Sequence, residues 1–275
     1  MKAALIGLLA ETSLHPGAGA TSGVIDLPVA REVVTGYPVI PGSSLKGALR
    51  ERAEEEWGNK DPKVEAIFGA PDSAGGLAVT DARLLLLPVR SLTGHFKWAT
   101  CAYVLERLQR DGMLAGLPFS GSLTAPSPGH VMAGAPGTLY LEEVSFTVAV
   151  ADLSVVVATV SSMIPHHSVR SRLGEQLLVC PDDDFAYFAR YALQVSARNV
   201  LNDDTKTSEN LWYEETIPPD TLLYALLVAR PGGEGMLDEV RELFARRPYL
   251  QVGGNETVGQ GWCAVAWYGD GGKWR

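Results

Sequence analysis

Pro41-Gly42-Ser43-Ser44-Leu45-Lys46-Gly47-Ala48-Leu49-Arg50 is where the chain changes period, and its reading sets the fold. Leu45, Ala48 and Leu49 form an apolar helical stripe, and Ser43 or Ser44 stands where a helix needs its N-terminal cap. The run Glu51–Glu56 continues on the solvated side. Lys46 and Arg50 sit one helical turn apart and share a face. Upstream, the apolar segment Lys2–Thr12 ends at the Pro- and Gly-rich stretch His15–Gly23 and reads as a central strand. Between the two, Val24–Ile40 mixes short apolar pairs with Pro28, Gly36 and Pro38 and reads as a long shaped loop. Downstream, Gly75-Gly76 opens the strand Leu77–Val89, whose Leu84–Leu87 run suits a strand buried on both faces.

Further along, Ala99–Gln109 has helical spacing, and Ala115–Ala135 is rich enough in Gly, Pro and Ser to be an exposed insertion. Leu139–Phe146 and Ser154–Val160 look like strands. Phe185–Ala189 and Leu193–Leu201 precede the polar stretch Asn202–Asn210, and Leu211–Ile217 follows it. Alternating segments around a polar tip predict a protruding β-hairpin over 195–217. The strand Leu222–Val228, the helix Met236–Phe244, the Gly-rich loop Gly253–Gly261 and the strand Cys263–Tyr268 complete the chain. The order predicts an α+β fold: a ferredoxin-like (RRM-like) βαββαβ core with long insertions and a hairpin, spanning 1–275 as a single domain.

Composition bounds the function without naming it. The chain has 275 residues and a formal net charge of −9, which argues against a general nucleic-acid binder. Local surface charge can still differ from the average, but composition alone points to a small-molecule enzyme. No apolar run is long enough to span a membrane, and Met1–Ala10 lacks the basic region and cleavage site of a secretion signal. These features predict a cytoplasmic location with no membrane partner. Cys101, Cys180 and Cys263 are isolated in sequence and read as buried free thiols rather than zinc ligands.

Four separated blocks carry a family resemblance. They are Gly23-Val24-Ile25-Asp26-Leu27-Pro28 with Arg31-Glu32, and Ile40–Gly47 with Arg50. The others are Asp81-Ala82-Arg83-Leu84-Leu85 with Pro88-Val89-Arg90-Ser91, and Gly253–Gly261. With Leu211–Glu215 and Pro218, they resemble the RAMP superfamily, and more narrowly the backbone subunit of type III-B (Cmr) CRISPR complexes. The resemblance implies a subunit that lines up in copies along a crRNA beside other Cmr subunits. Its hairpin, the family's thumb, displaces nucleotides of the paired target RNA, which is cut at regular intervals. It further implies endoribonuclease activity within the assembled complex, dependent on a divalent metal (Mg2+ or Mn2+), with the loop aspartate at Asp26. Two other readings are a non-catalytic crRNA-binding scaffold and a stand-alone crRNA-processing endonuclease.

Each residue has a plainer reading beside the functional one. Taken alone, Asp26 is a turn or capping aspartate; under the resemblance it is the catalytic group, holding the metal or acting as base. His15 can serve as general acid or phosphate contact, or satisfy backbone groups in its loop. Glu214 and Glu215 are structural carboxylates at the hairpin base, or one of them, Glu215, approaches a catalytic site. His166-His167, read as strand neighbours, are RNA-proximal at best. For RNA binding, Ser43, Ser44, Lys46 and Arg50 offer a helix start with charge on one face. Gly253, Gly254, Asn255, Gly259 and Gly261 offer close backbone approach to a phosphate. Trp212, Tyr213 and Trp262 can stack on bases or pack locally.

Overall fold

The computed structural model describes residues 2–20, 23–117 and 124–268. It opens with β1 (Ala3–Ala10), β2 (Val39–Ile40), α1 (Gly42–Trp57), α2 (Pro62–Phe68) and β3 (Leu77–Val79). Next come β4 (Ala82–Arg90), β5 (Phe96–Cys101), α3 (Ala102–Leu114), β6 (His130–Ala133), β7 (Thr138–Leu141) and β8 (Val144–Val150). Then follow α4 (Ser154–Ser161), α5 (His167–Gln176), β9 (Leu177–Cys180), α6 (Asp182–Tyr191), β10 (Gln194–Leu201) and β11 (Ser208–Thr216). The chain closes with β12 (Leu222–Ala229), α7 (Met236–Glu242), β13 (Tyr249–Gln251) and β14 (Trp262–Trp267).

The architecture is mixed α/β around one large, mostly antiparallel sheet. Its strands run β13-β14-β1-β12-β4-β5-β9-β6-β8-β7, with β2 added beside β4 and β3 beside β12. At one end, β14, β1, β12 and β4 are antiparallel neighbours throughout. Helix α1 lies between β1 and β4 in sequence, and α7 lies between β12 and β14. Both β1 and β12 have partners on either side, and Leu5–Ala10 and Leu222–Leu227 are buried without a break. A strand covered on two faces has no solvent side to alternate with, which is why these segments read as continuous apolar runs. Helix α1 buries Leu45, Leu49 and Ala53 at helical spacing. Strands β10 and β11 stand apart as a separate two-stranded sheet.

Several local expectations are corrected. Ser154–Val160, expected as a strand, is helix α4: Asp152 Oδ1 accepts the Ser154 N–H at 2.9 Å, and only Val160 of the helix is buried. β-Branched residues favour strands only where a sheet receives them. Phe185–Ala189, which the sequence leaves unassigned, lies inside α6, whose first turn carries Asp182, Asp183 and Asp184 where the helix dipole favours anions. Leu139–Phe146 is split into β7 and β8 by a turn at Glu142, whose φ is 50°. The helix expected over Ala99–Gln109 starts only at Ala102, because Ala99–Cys101 belong to β5 and pair with β9. Neither serine caps α1. Pro41 holds the cap position, and the Gly42 N–H donates to Asp81 Oδ1 at 2.7 Å. The insertion expected over 115–135 lies outside the described residues at 118–123.

Candidate site at the hairpin base

The outer edge of β11 organises the candidate site. In an antiparallel pair, alternate residues turn their backbone groups away from the partner strand. Tyr213, Glu215 and Ile217 turn theirs toward the segment after β1. Leu27 N–H donates to Tyr213 O at 3.1 Å, Glu215 N–H donates to Leu27 O at 3.0 Å, and Leu14 and Ile217 exchange two bonds of 2.9 Å. Two of the three sequence candidates for chemistry, Asp26 and His15, bond to this edge, and the third, Glu215, belongs to it. Asp26 Oδ2 accepts the Tyr213 N–H at 2.8 Å. His15 Nδ1 lies 2.8 Å from Glu215 O; a carbonyl only accepts, so Nδ1 carries the proton.

The Asp26 loop is therefore fixed, not the flexible turn its glycine and proline suggest. Arg31 Nη2 pairs with Glu215 Oε1 at 2.6 Å, and Glu215 Oε2 accepts the Val29 N–H at 3.1 Å. Arg31 Nη1 donates to the Gly36 and Ala189 carbonyls, both at 2.8 Å. On the other side of the loop, Arg107 Nη1 meets both oxygens of Glu32 at 2.7 and 2.8 Å. Arg31 and Glu32, neighbours in sequence, thus form a two-way clasp.

These contacts give Glu215 a structural use: its side chain is 3% exposed and both oxygens are engaged within the protomer. Glu214 is also buried, against Asn255 Nδ2 and, at 3.6 Å, Arg198. His15 is buried as well. Its Nδ1 satisfies a backbone carbonyl, as a loop histidine's can.

The Gly-rich loop makes its close approach to this chain's own backbone. Gly253 has φ 84°, and a Cβ there would lie 2.7 Å from His15 O. Gly254 N–H donates to His15 O and Gly261 N–H to Ser13 O, each at 2.9 Å. Asn255 donates to Glu214 and to Gln260 Oε1. Gly259 N–H turns back to Glu256 O at 2.8 Å. Glycine at 253 allows this close approach, in which two segments of one chain touch.

At α1, Ser43 and Ser44 are exposed, and Lys46 makes no ion pair among the described residues. Arg50 is committed to Glu54 at 2.8 Å and Gly69 O at 3.0 Å. The carboxylate of Asp81 already occupies the first N–H of this helix. His166 and His167 lie at the start of α5, not on a strand, and His166 pairs with Glu11 at 2.7 Å. Tyr213 is partly exposed, whereas Trp262 packs under Arg247 at 5.5 Å.

Among the described residues, no group of three or more His, Cys, Asp or Glu is placed to hold a metal ion. Asp26 brings a single carboxylate, and its hydrogen bond from Tyr213 uses one of roughly four lone-pair sites. A hydrated divalent ion bound largely by substrate phosphates asks for one or two carboxylates, so the donor set fits such an ion. No helix among the described residues is long and apolar enough to cross a membrane.

Known proteins share this chain's fold. The CRISPR system Cmr endoribonuclease Cmr4 of Pyrococcus furiosus is 35% identical over 287 residues, covering 96% of this chain and 95% of the relative. The crystal structure of oligomeric Cmr4 from Pyrococcus furiosus superposes with a TM-score of 0.79 at 32% identity, covering 98% of each chain. A chain of the type III-B Cmr-beta complex bound to cognate target RNA shares the fold, with a TM-score of 0.80 at 22% identity over 98% of this chain and 99% of that one. The family model for the RAMP superfamily matches residues 8–264, and this chain belongs to that superfamily.

Proposed function

We propose that this chain is a backbone subunit of a type III-B Cmr CRISPR ribonucleoprotein that binds crRNA and cleaves the paired target RNA at regular intervals with Asp26. The observation that carries the reading is the seat of Asp26 on Tyr213, at the base of a hairpin standing outside the main sheet. The relatives support the partners. One is named as a Cmr endoribonuclease, one structure is of an oligomer, and one complex holds target RNA. Its partners are thus crRNA, target RNA, further copies of itself and other Cmr subunits.

The four strands β14-β1-β12-β4 with α1 and α7 then form the ferredoxin-like core, a reading supported by their order and antiparallel pairing. Hairpin β10–β11 is the thumb, supported by its separate sheet and its polar tip Asn202–Ser208. Ser43, Ser44 and Lys46 give α1 an accessible polar face for the RNA backbone, with Arg50 behind them.

RNA scission requires the 2′-hydroxyl in line with the phosphorus and a group that manages charge or a proton. Asp26 stands beside the element that forces a nucleotide out of the duplex, so its carboxylate can draw the hydroxyl proton where the backbone is distorted. It is also the residue that would hold Mg2+ or Mn2+, an ion that neutralises charge on phosphate oxygens. In complexes assembled with Asp26→Asn, matched RNA should bind normally and remain uncut at every site. Persistent cutting overturns the assignment.

A further inference from the structure

We propose that the backbone N–H of Tyr213 is the positioning group for Asp26, so that the carboxylate is aligned only while the hairpin is seated on the 24–29 loop. This rests on the reading of Asp26 as the cleaving residue.

The register gives the reason. Val195, Ala197 and Asn199 of β10 lie opposite Glu215, Tyr213 and Leu211. Because Tyr213 and Glu215 bond outward, these are the pairs that exchange no bonds with β10. On the outer edge, Leu27 N–H takes Tyr213 O and Leu27 O takes Glu215 N–H, the pattern of a short parallel strand. Continued by one step, such a strand would present a carbonyl to the Tyr213 N–H. The Asp26 side chain takes that place instead, at 2.8 Å. One step nearer the tip, Leu211 turns its N–H to the same edge and has no partner there among the described residues.

The consequence is mechanical. Asp26 is bonded through Oδ2 to the hairpin main chain, and Leu27 and Val29 are bonded to the same strand through Glu215. Hairpin and carboxylate therefore move as a unit. The element that opens the guide–target duplex also sets the angle of the cutting group, so a hairpin that is not seated leaves Asp26 misaligned. The side chain at position 213 is irrelevant to this role; only its N–H matters.

The test uses assembled complexes and single-turnover cleavage of matched RNA. Tyr213→Ala is the reference for the backbone change, since it loses the ring and keeps the N–H. Tyr213→Pro removes it without removing a β10 bond, since proline is tolerated where a strand's N–H faces outward. Scission should slow on the order of 100-fold, the cost of a small misplacement of a catalytic group, with target affinity and cut spacing unchanged. Leu211→Pro carries the same backbone change on the same edge and should cleave normally. Parent-like cutting by Tyr213→Pro, or an equal loss in Leu211→Pro, overturns the proposal. Amide hydrogen exchange provides a measure that needs no proline. Exchange at Tyr213 should quicken in Asp26→Ala, and unchanged protection there also refutes the bond's role. Cleavage by Asp26→Asn would instead sink the underlying assignment.

Discussion

Arg31 donates to Glu215 across 2.6 Å, tying the loop that carries Asp26 to the base of a hairpin strand 184 residues later. The pair is mostly buried, and Glu215 spends its second oxygen on Val29 N–H. Removing either partner leaves a charge with no counterpart in a place water barely reaches.

Arg31→Ala and Glu215→Ala should each lower stability by about 3 kcal/mol, as expected when one half of a buried ion pair is deleted. Thermal or urea unfolding of the isolated protein measures this. A double-mutant cycle should show strong coupling, and strictly additive losses would refute the clasp. If Glu215 acted in catalysis alone, Glu215→Ala would cost cleavage and leave the melting temperature untouched.

The glycines at 253 and 254 should behave oppositely although they are neighbours. Gly253→Ala meets His15 O at 2.7 Å from a backbone with φ 84°, so it should destabilise by about 1–3 kcal/mol. A Cβ at Gly254 has nothing nearer than 3.6 Å, so Gly254→Ala should fold almost as well as the parent. Equal stability of the two variants would mean that the loop does not rest on His15.

Lys46 and Arg50 share a face of α1 but not a role. Lys46→Ala should weaken crRNA binding and reduce the salt dependence by about one phosphate contact, leaving stability unchanged. Arg50→Ala should cost stability first, because Arg50 bridges Glu54 and the Gly69 carbonyl at the end of α2. Titration of crRNA at several salt concentrations, beside unfolding curves, separates the two. A Lys46→Ala variant with the parent's salt slope would remove α1 from the RNA path.

What the sequence determined by itself was what local chemistry and position-specific motifs determine. The unbroken apolar runs of β1 and β12, the stripe of α1 and the polar tip between β10 and β11 are each legible within about ten residues, because burial and turn geometry act over that range. The spaced blocks around Asp26, Pro41, Asp81 and Gly253 carried the family. Where local preference and packing disagreed, as in the valine-rich α4, the sequence misled, since propensity is a weak prior that a helix's neighbours override.

The tertiary structure alone decided who bonds to whom across the chain. Asp26 and Tyr213 are 187 residues apart, and His15 and Glu215 are 200 apart. Strand order, not composition, places β11 beside the segment leaving β1. Once that edge is fixed, every polar group buried on it must find a partner to replace the water it loses. That requirement makes Glu215 the anchor of Arg31 and rests the glycine loop on the carbonyls of Ser13 and His15. It also set Asp26 against a backbone N–H that no motif could have named.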